Sequence, residues 1–181
     1  MDLIITFGLV TLVIMLQFAV VPGIILKRAT KVSELNGYPI YMIESNDINA
    51  FSLISIWGKH ILVTKGLLSK EDNEHIAAAL MHEIGHIRLN HHIKMSLCII
   101  SIIIVFTYLL NYVIFLVPFV ISVLAIQRYL QRRFELEADK FATKFINAKL
   151  LHDLITKYGE NKISFLSTHP NIKIRLKNIS K

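Results

Sequence analysis

The sequence predicts a mainly α-helical membrane protein that carries a small antiparallel β-sheet. Three observations predict it. Of its 181 residues, 54% are hydrophobic and the mean hydropathy is +0.53, too apolar for an ordinary soluble domain. Two long runs carry no charge at all. Between them, short alternating segments give way to apolar residues at the three-to-four spacing of a helix.

The first run, Leu3 to Leu26, has 24 residues and no charge. As a helix it measures about 36 Å, enough to cross a bilayer. Gln17 and Pro22 are tolerable in such a helix. Met1-Asp2 offers no basic residue and no small-x-small site follows, so the segment reads as an uncleaved anchor over residues 1–26. Lys27, Arg28 and Lys31 follow it directly. The positive-inside rule then puts the N-terminus outside and the bulk of the remaining domain, residues 27–181, in the cytoplasm.

Asn36-Gly37 signals a turn, and Tyr38 to Ile43 reads as a short strand. Ala50 to Ile56 and His60 to Thr64 read as two strands joined at Trp57-Gly58-Lys59. Trp57 at that tip suits a lid on a small core, or an anchor at the membrane interface. Ser69 is expected to start a helix, with Glu71 and Asp72 in its first turn favouring the dipole. Ile76, Ala77, Leu80, Ile84 and Ile87 keep helical spacing, and Gly85 among them hints at close packing.

That helix contains Met81-His82-Glu83-Ile84-Gly85-His86, of the form H-E-x-x-H. Residues four apart share a helix face, so His82 and His86 can aim their imidazoles at one point. Two neutral imidazoles there suit one Zn²⁺ per chain, and Glu83 between them can act as general base on the attacking water.

The second run, Ser96 to Ile126, has 31 residues without a charge. One straight helix would be about 46 Å, longer than a hydrocarbon core of about 30 Å. Asn111 and Pro118 interrupt it. A metal ligand beyond this run must lie on the same side as His82 and His86, so the run crosses twice or not at all. We therefore expect a membrane hairpin over residues 95–127 that turns near Asn111. Arg88 and Lys94 before it, and Arg128, Arg132 and Arg133 after it, put both ends on the cytoplasmic side.

Gln127 to Ala148 reads as a helix with Leu130, Phe134, Phe141 and Phe145 as its apolar stripe. Glu135 and Asp139 share one face of it, while Glu137 points roughly opposite. Leu150 to Lys157 is a further helix ended at Gly159. Phe165 to Thr168 is a loop, and Ile172 to Ile179 a basic C-terminal helix.

Two residues compete for the third ligand. His92 would complete H-E-x-x-H-x-x-G-x-x-H, but position 89 is Leu89 rather than the glycine that breaks the helix and swings the chain round. Glu135, a carboxylate on a second helix, completes a His₂Glu site with one position left for water. Asp139, one turn on, can orient a ligating imidazole. His60, His75, His91 and His152 carry no spacing signal and read as surface or helix-end residues.

The net charge of +7 reflects basic residues flanking apolar runs, not a nucleic-acid patch; no basic-aromatic motif for nucleic acid is present. The lone Cys98 excludes an intramolecular disulfide. The partners implied are the lipid bilayer and a protein or peptide.

With these pieces in place the chain resembles the HtpX-like and CAAX-prenyl-protease family of integral membrane zinc metallopeptidases, as a minimal member. The segments that carry the resemblance are Asn49-Ala50-Phe51, Val63-Thr64-Lys65-Gly66-Leu67-Leu68, Ala79 to His86, Arg133 to Asp139, and Ser167-Thr168-His169-Pro170 with Arg175-Leu176. The resemblance implies a zincin-type (gluzincin) core, with Glu135 as third zinc ligand and Asp139 behind it. It also implies roles for His169 and Arg175 on the oxyanion. By analogy, an edge strand beginning at Asn49, Ala50 and Phe51 would pair with an extended substrate. The expected activity is endopeptidase cleavage of membrane-associated proteins or peptides at the cytoplasmic face. A zinc hydrolase using His92, and a non-catalytic metal-binding scaffold, are the rival expectations.

Overall fold

The computed structural model describes residues 3–110, 112–159 and 170–180. The N-terminal apolar run is helical throughout, as α1 (Leu3–Met15), one π-helical turn (Leu16–Val20) and α2 (Val21–Arg28). Pro22 explains the local irregularity. It has no N–H to give to the carbonyl four residues back, at Phe18. That carbonyl instead accepts from the backbone N–H of Ile56, at 2.9 Å. A proline inside this N-terminal helix thus creates the acceptor that ties the sheet to it.

The sheet has four strands: β1 (Thr30–Leu35), β2 (Tyr38–Ile43), β3 (Ala50–Ser55) and β4 (Gly58–Thr64), in the order β1-β2-β4-β3. Asn36 and Gly37 both take positive φ, 52° and 80°, as a two-residue hairpin turn requires. The sheet is mixed, not antiparallel as expected, because β2 and β4 run parallel. The physical reason is burial. Ile61, Leu62 and Val63 of β4 are wholly inaccessible, so β4 needs a neighbour on each side. The chain therefore passes beyond β2 to lay down β3 at the edge and returns as β4 in the centre. β1 was not anticipated, since its sequence TKVSEL shows little apolar alternation.

A short helix α3 (Lys65–Lys70) follows, capped by the Thr64 hydroxyl, which accepts from Leu67 N at 3.2 Å. Ser69 sits in its last turn and starts no helix. Asp72 is the cap of the next one, α4 (Asn73–Arg88), accepting from His75 N at 2.9 Å. A carboxylate one residue before the helix outcompetes a hydroxyl four back because it also favours the helix dipole.

α4 ends at Arg88, and Asn90 takes the left-handed conformation (φ 56°, ψ 35°). Asparagine tolerates this region better than most residues. It makes the break that Leu89 does not, and α5 (His91–Leu109) leaves in a new direction. After a short 3₁₀ turn (Val113–Phe115), α6 (Leu116–Ala142) returns as one continuous helix. It begins earlier and ends sooner than expected, and Phe145 lies beyond it, 63% exposed. α5 and α6 are antiparallel: Phe106 stacks on Phe119, with ring centres 6.3 Å apart, and His91 on Phe134 at 4.3 Å. The N-terminal helical run is antiparallel to α5, joined by Thr6 Oγ1 of α1 to Thr107 Oγ1 (3.1 Å) and by Gln17 Nε2 of the π-helical turn to Ser96 Oγ (2.7 Å). Leu3–Arg28 and His91–Leu109 are each long and apolar enough to cross a membrane.

α4 is the spine of the remainder. One face packs Leu80, Met81, Ile84 and Ile87 into a core with Ile40, Ile61 and Val63 of the sheet. Another meets α6 at Gly85. A Cβ there would stand 3.1 Å from Ala138 Cα and 3.2 Å from Ala138 O, tighter than an ordinary contact, so glycine eases the close approach of the two backbones. α7 (Ala148–Tyr158) and α8 (Ile172–Ile179) close the far side through Leu151, Ile155, Ile172 and Ile179. The expected loop Phe165 to Thr168, and His169, lie outside the described residues.

Candidate metal centre and active site

Helical periodicity sets His82 and His86 on one face of α4, and the Gly85–Ala138 contact brings α6 against that face. The result is a three-sided cluster. His82 Nε2 and His86 Nε2 are 3.2 Å apart. Glu135 Oε2 lies 3.6 Å from the first and Glu135 Oε1 lies 3.4 Å from the second. Among the described residues, His82, His86 and Glu135 form the one group able to hold a metal ion. Two atoms each about 2.0–2.1 Å from a tetrahedral ion stand about 3.3 Å apart. The imidazole–imidazole spacing matches that edge, the Glu135 carboxylate faces the two nitrogens with one oxygen each, and an imidazole–imidazole–carboxylate donor set suits zinc.

Each imidazole is backed at its other nitrogen. His82 Nδ1 is 2.9 Å from Asp139 Oδ1, a short approach though off the direction of a good hydrogen bond. Burial alone would lower the His82 pKa, but the Asp139 and Glu135 carboxylates overcome this and raise it to about 10 in the metal-free chain. His86 Nδ1 is 3.1 Å from His91 Nδ1.

Asp139 is wholly buried and also accepts a two-pronged hydrogen bond from Arg175, at 2.8 Å from Nε and 2.6 Å from Nη2. Burial pushes the Asp139 carboxyl up, yet Arg175 and His82 together hold it below its usual value. Burial likewise opposes the Arg175 charge, and the Asp139, Glu135 and Glu83 carboxylates together outweigh it. Arg175 Nη1 comes within 3.7 Å of Glu135 Oε2, so the guanidinium spans the carboxylate of the cluster and the one behind it.

Glu83 is buried beside the cluster, and its Oε2 accepts from Ser52 N (2.7 Å) and Ser52 Oγ (2.9 Å). Ser52 lies on β3, the outer strand of the sheet. The register of β3 against β4 directs the N–H groups of Ala50, Ser52 and Ile54 away from the sheet. Asn49 faces inward instead, exchanging hydrogen bonds with Thr64. Phe51, half-buried, pairs with Leu62. A cleft of about 340 Å³ opens here, lined among others by Asn49, Ala50, His82, Glu83, Glu135 and Arg175. The expected site residues therefore meet in one place, with His169 outside the described residues.

Three histidines behave otherwise than their sequence context suggested. His92 is not one of the three clustered residues but lies beside them, with Nε2 2.9 Å from Ser52 Oγ. His91 is 3% exposed and reaches Glu137 Oε2 through Nε2 at 3.2 Å. His60 is buried in β4 against Ser55 Oγ at 3.2 Å. Glu137 does point away from Glu135, as its helix position dictates, but onto His91 rather than into solvent. The adjacent pair His91-His92 was the one local signal: consecutive residues at a helix start project in different directions. Trp57 is 59% exposed and leans on Gly23 of α2.

The family model Peptidase family M48 matches residues 19–181. Seven solved chains match, among them one titled "Crystal Structure of S. mikatae Ste24p", with a TM-score of 0.74 at 19% sequence identity. The likeness covers 97% of this chain and 57% of that one, and shows a common fold: mainly helical with a small mixed sheet. This chain thus spans little more than half the length of the S. mikatae protein. No curated protein matches.

Proposed function

Since the chain belongs to peptidase family M48, we propose that it is a membrane-anchored zinc endopeptidase that cleaves membrane-associated proteins or peptides at the cytoplasmic face. One observation carries the reading. His82, His86 and Glu135 converge within 4.8 Å of one another beside a buried carboxylate, Glu83, in a cleft lined by residues at the start of the edge strand β3.

His82 Nε2, His86 Nε2 and a Glu135 oxygen would hold the metal. Zinc bound there would polarise the scissile carbonyl and lower the pKa of its water to about 7. Glu83 takes a proton from the attacking water and returns it to the leaving amine. The two hydrogen bonds from Ser52 keep that carboxylate on the cleft side of α4. Asp139 holds the His82 ring and anchors Arg175, which lines the cleft and would stabilise negative charge on the carbonyl oxygen. His169 shares that last role by family resemblance. An extended peptide docks along β3 through the outward N–H and C=O groups of Ala50 and its neighbours, so Ala50→Pro raises KM and leaves zinc content unchanged.

The anchor is Leu3–Arg28, and α5 with the start of α6 forms a membrane hairpin. Both legs present apolar side chains outward: Ile104, Val105 and Phe106 on α5, and Val117, Val120 and Ile121 on α6. Lys27 and Arg28 after the anchor, and Arg128, Arg132 and Arg133 on the returning helix, support a cytoplasmic site.

The deciding experiment compares wild-type protein with Glu83→Gln in purified, zinc-loaded form. The substitution is expected to abolish peptide cleavage, by at least about 10²-fold, with zinc stoichiometry unchanged. Full cleavage by Glu83→Gln would sink the proposal.

A further inference from the structure

We propose that His91 is a positioning residue for the metal centre: it relays the Glu137 carboxylate to His86 and so fixes which nitrogen of His86 carries the proton. The inference rests on the reading of His82, His86 and Glu135 as metal ligands.

The argument begins at the imidazoles. A neutral imidazole has one donor nitrogen and one acceptor nitrogen. His86 directs Nε2 toward His82 and Glu135, at 3.2 and 3.4 Å. Its other nitrogen, Nδ1, meets His91 Nδ1 at 3.1 Å. A contact between two ring nitrogens at this distance holds one proton, shared as donor and acceptor. If His86 Nε2 is to offer its lone pair to a metal, the proton must sit on His86 Nδ1. His91 Nδ1 is then the acceptor, and its own proton is on Nε2. That Nε2 lies 3.2 Å from Glu137 Oε2, which is the acceptor it needs. Glu137 is held in turn by Arg133, whose Nε donates to Oε1 at 2.9 Å. Each ring N–H in the chain Glu137–His91–His86 has an acceptor, and only one tautomer of each ring satisfies it.

The surroundings leave His91 little freedom to do anything else. It is 3% exposed, and its ring lies flat on Phe134, 9° from parallel with centres 4.3 Å apart. Asn90 in the left-handed conformation turns the chain so that the first residue of α5 folds back under α4. The two ligand histidines are thereby supported unequally. His82 is backed by a buried carboxylate, while His86 is backed by a neutral ring with a half-exposed carboxylate behind it. Partners of this kind orient ligands, and their loss costs about 10–100-fold in metal affinity.

The test reads zinc affinity of the full-length protein in detergent, by competition with a chromophoric chelator. Glu135→Gln is the control for the metal site itself. His91→Phe keeps the ring and its stacking on Phe134 but leaves the His86 Nδ1 proton without an acceptor. We expect zinc affinity to fall by about 10–100-fold with the far-ultraviolet dichroism retained. His91→Asn, whose carbonyl can stand near the lost Nδ1, should recover part of that loss. Glu137→Gln should weaken binding by a smaller factor, and combined with His91→Phe should add nothing further. If Glu135→Gln weakens zinc and a folded His91→Phe does not, the relay is wrong. If His91→Phe does not fold, wild-type affinity in Glu137→Gln overturns the relay in its place. If Glu135→Gln itself leaves zinc affinity intact, the metal site has been misread and the relay falls with it.

Discussion

Glu83 Oε2 and Ser52 are joined twice, at 2.7 Å through the backbone N–H and at 2.9 Å through the hydroxyl. The edge strand thus holds the carboxylate of α4 from two directions. The hydroxyl in turn meets His92 Nε2 at 2.9 Å, so its single proton goes to Glu83 while it accepts from the imidazole. Ser52→Ala removes one of the two bonds and leaves the strand intact. We expect kcat to fall about 10-fold with KM and zinc content nearly unchanged, and Ser52→Thr to restore most of it. An unchanged kcat in Ser52→Ala would mean that the backbone bond alone positions Glu83.

The metal-free protein should lose stability in alkali. His82 has its pKa raised from 6.5 to about 10 by Asp139 and Glu135. A group raised on folding stabilises fully below its unfolded pKa, and that contribution is lost as pH rises through the folded value. The window is therefore from about pH 6.5 to about 10. Asp139 works in the opposite sense: held below its usual 3.8, it contributes above that pH and fails in acid. Thermal melting of chelator-treated protein should show Tm declining from pH 6.5 to 10. Saturating zinc, which takes the place of the proton on His82, should flatten the profile. A flat profile without metal would contradict the His82–Asp139 coupling.

Gly85→Ala tests how α4 and α6 meet. Alanine favours a helix by about 1 kcal/mol over glycine. Its methyl group would press on the Ala138 backbone at 3.1–3.2 Å, which cannot swing aside as a side chain can. Overpacking of this kind costs about 1–3 kcal/mol, so the net change should be destabilising by up to about 2 kcal/mol. Zinc affinity should fall as well, because α6 carries Glu135. A gain in both would show that the two helices have room to spare.

Gln17, in the π-helical turn after α1, donates to Ser96 Oγ of α5 at 2.7 Å. A double-mutant cycle with Gln17→Ala and Ser96→Ala in bicelles should give a coupling of about 0.5–1.5 kcal/mol. Additive effects would place the pair outside the contact between these helices.

What the sequence determined by itself was local. The charge-free runs dictate apolar helices, because no hydrated group interrupts them. The spacing of His82 and His86 dictates a common face, because 3.6 residues make a turn. The identity of Glu83 between them, and the separation of Glu135 from Glu137 around α6, follow from the same periodicity. Only the tertiary structure decided what each face meets. Gly85 packing on Ala138 sets the distance of Glu135 from the imidazoles, and Asn90 in a left-handed turn sends His91 and His92 back to the site rather than toward the bilayer surface. The parallel pairing of β2 with β4, and the Phe18 carbonyl taken by Ile56, belong to this second kind. Periodicity acts within one element, over a few residues. The rest depends on how closely separate elements approach, which is settled by packing against partners distant along the chain.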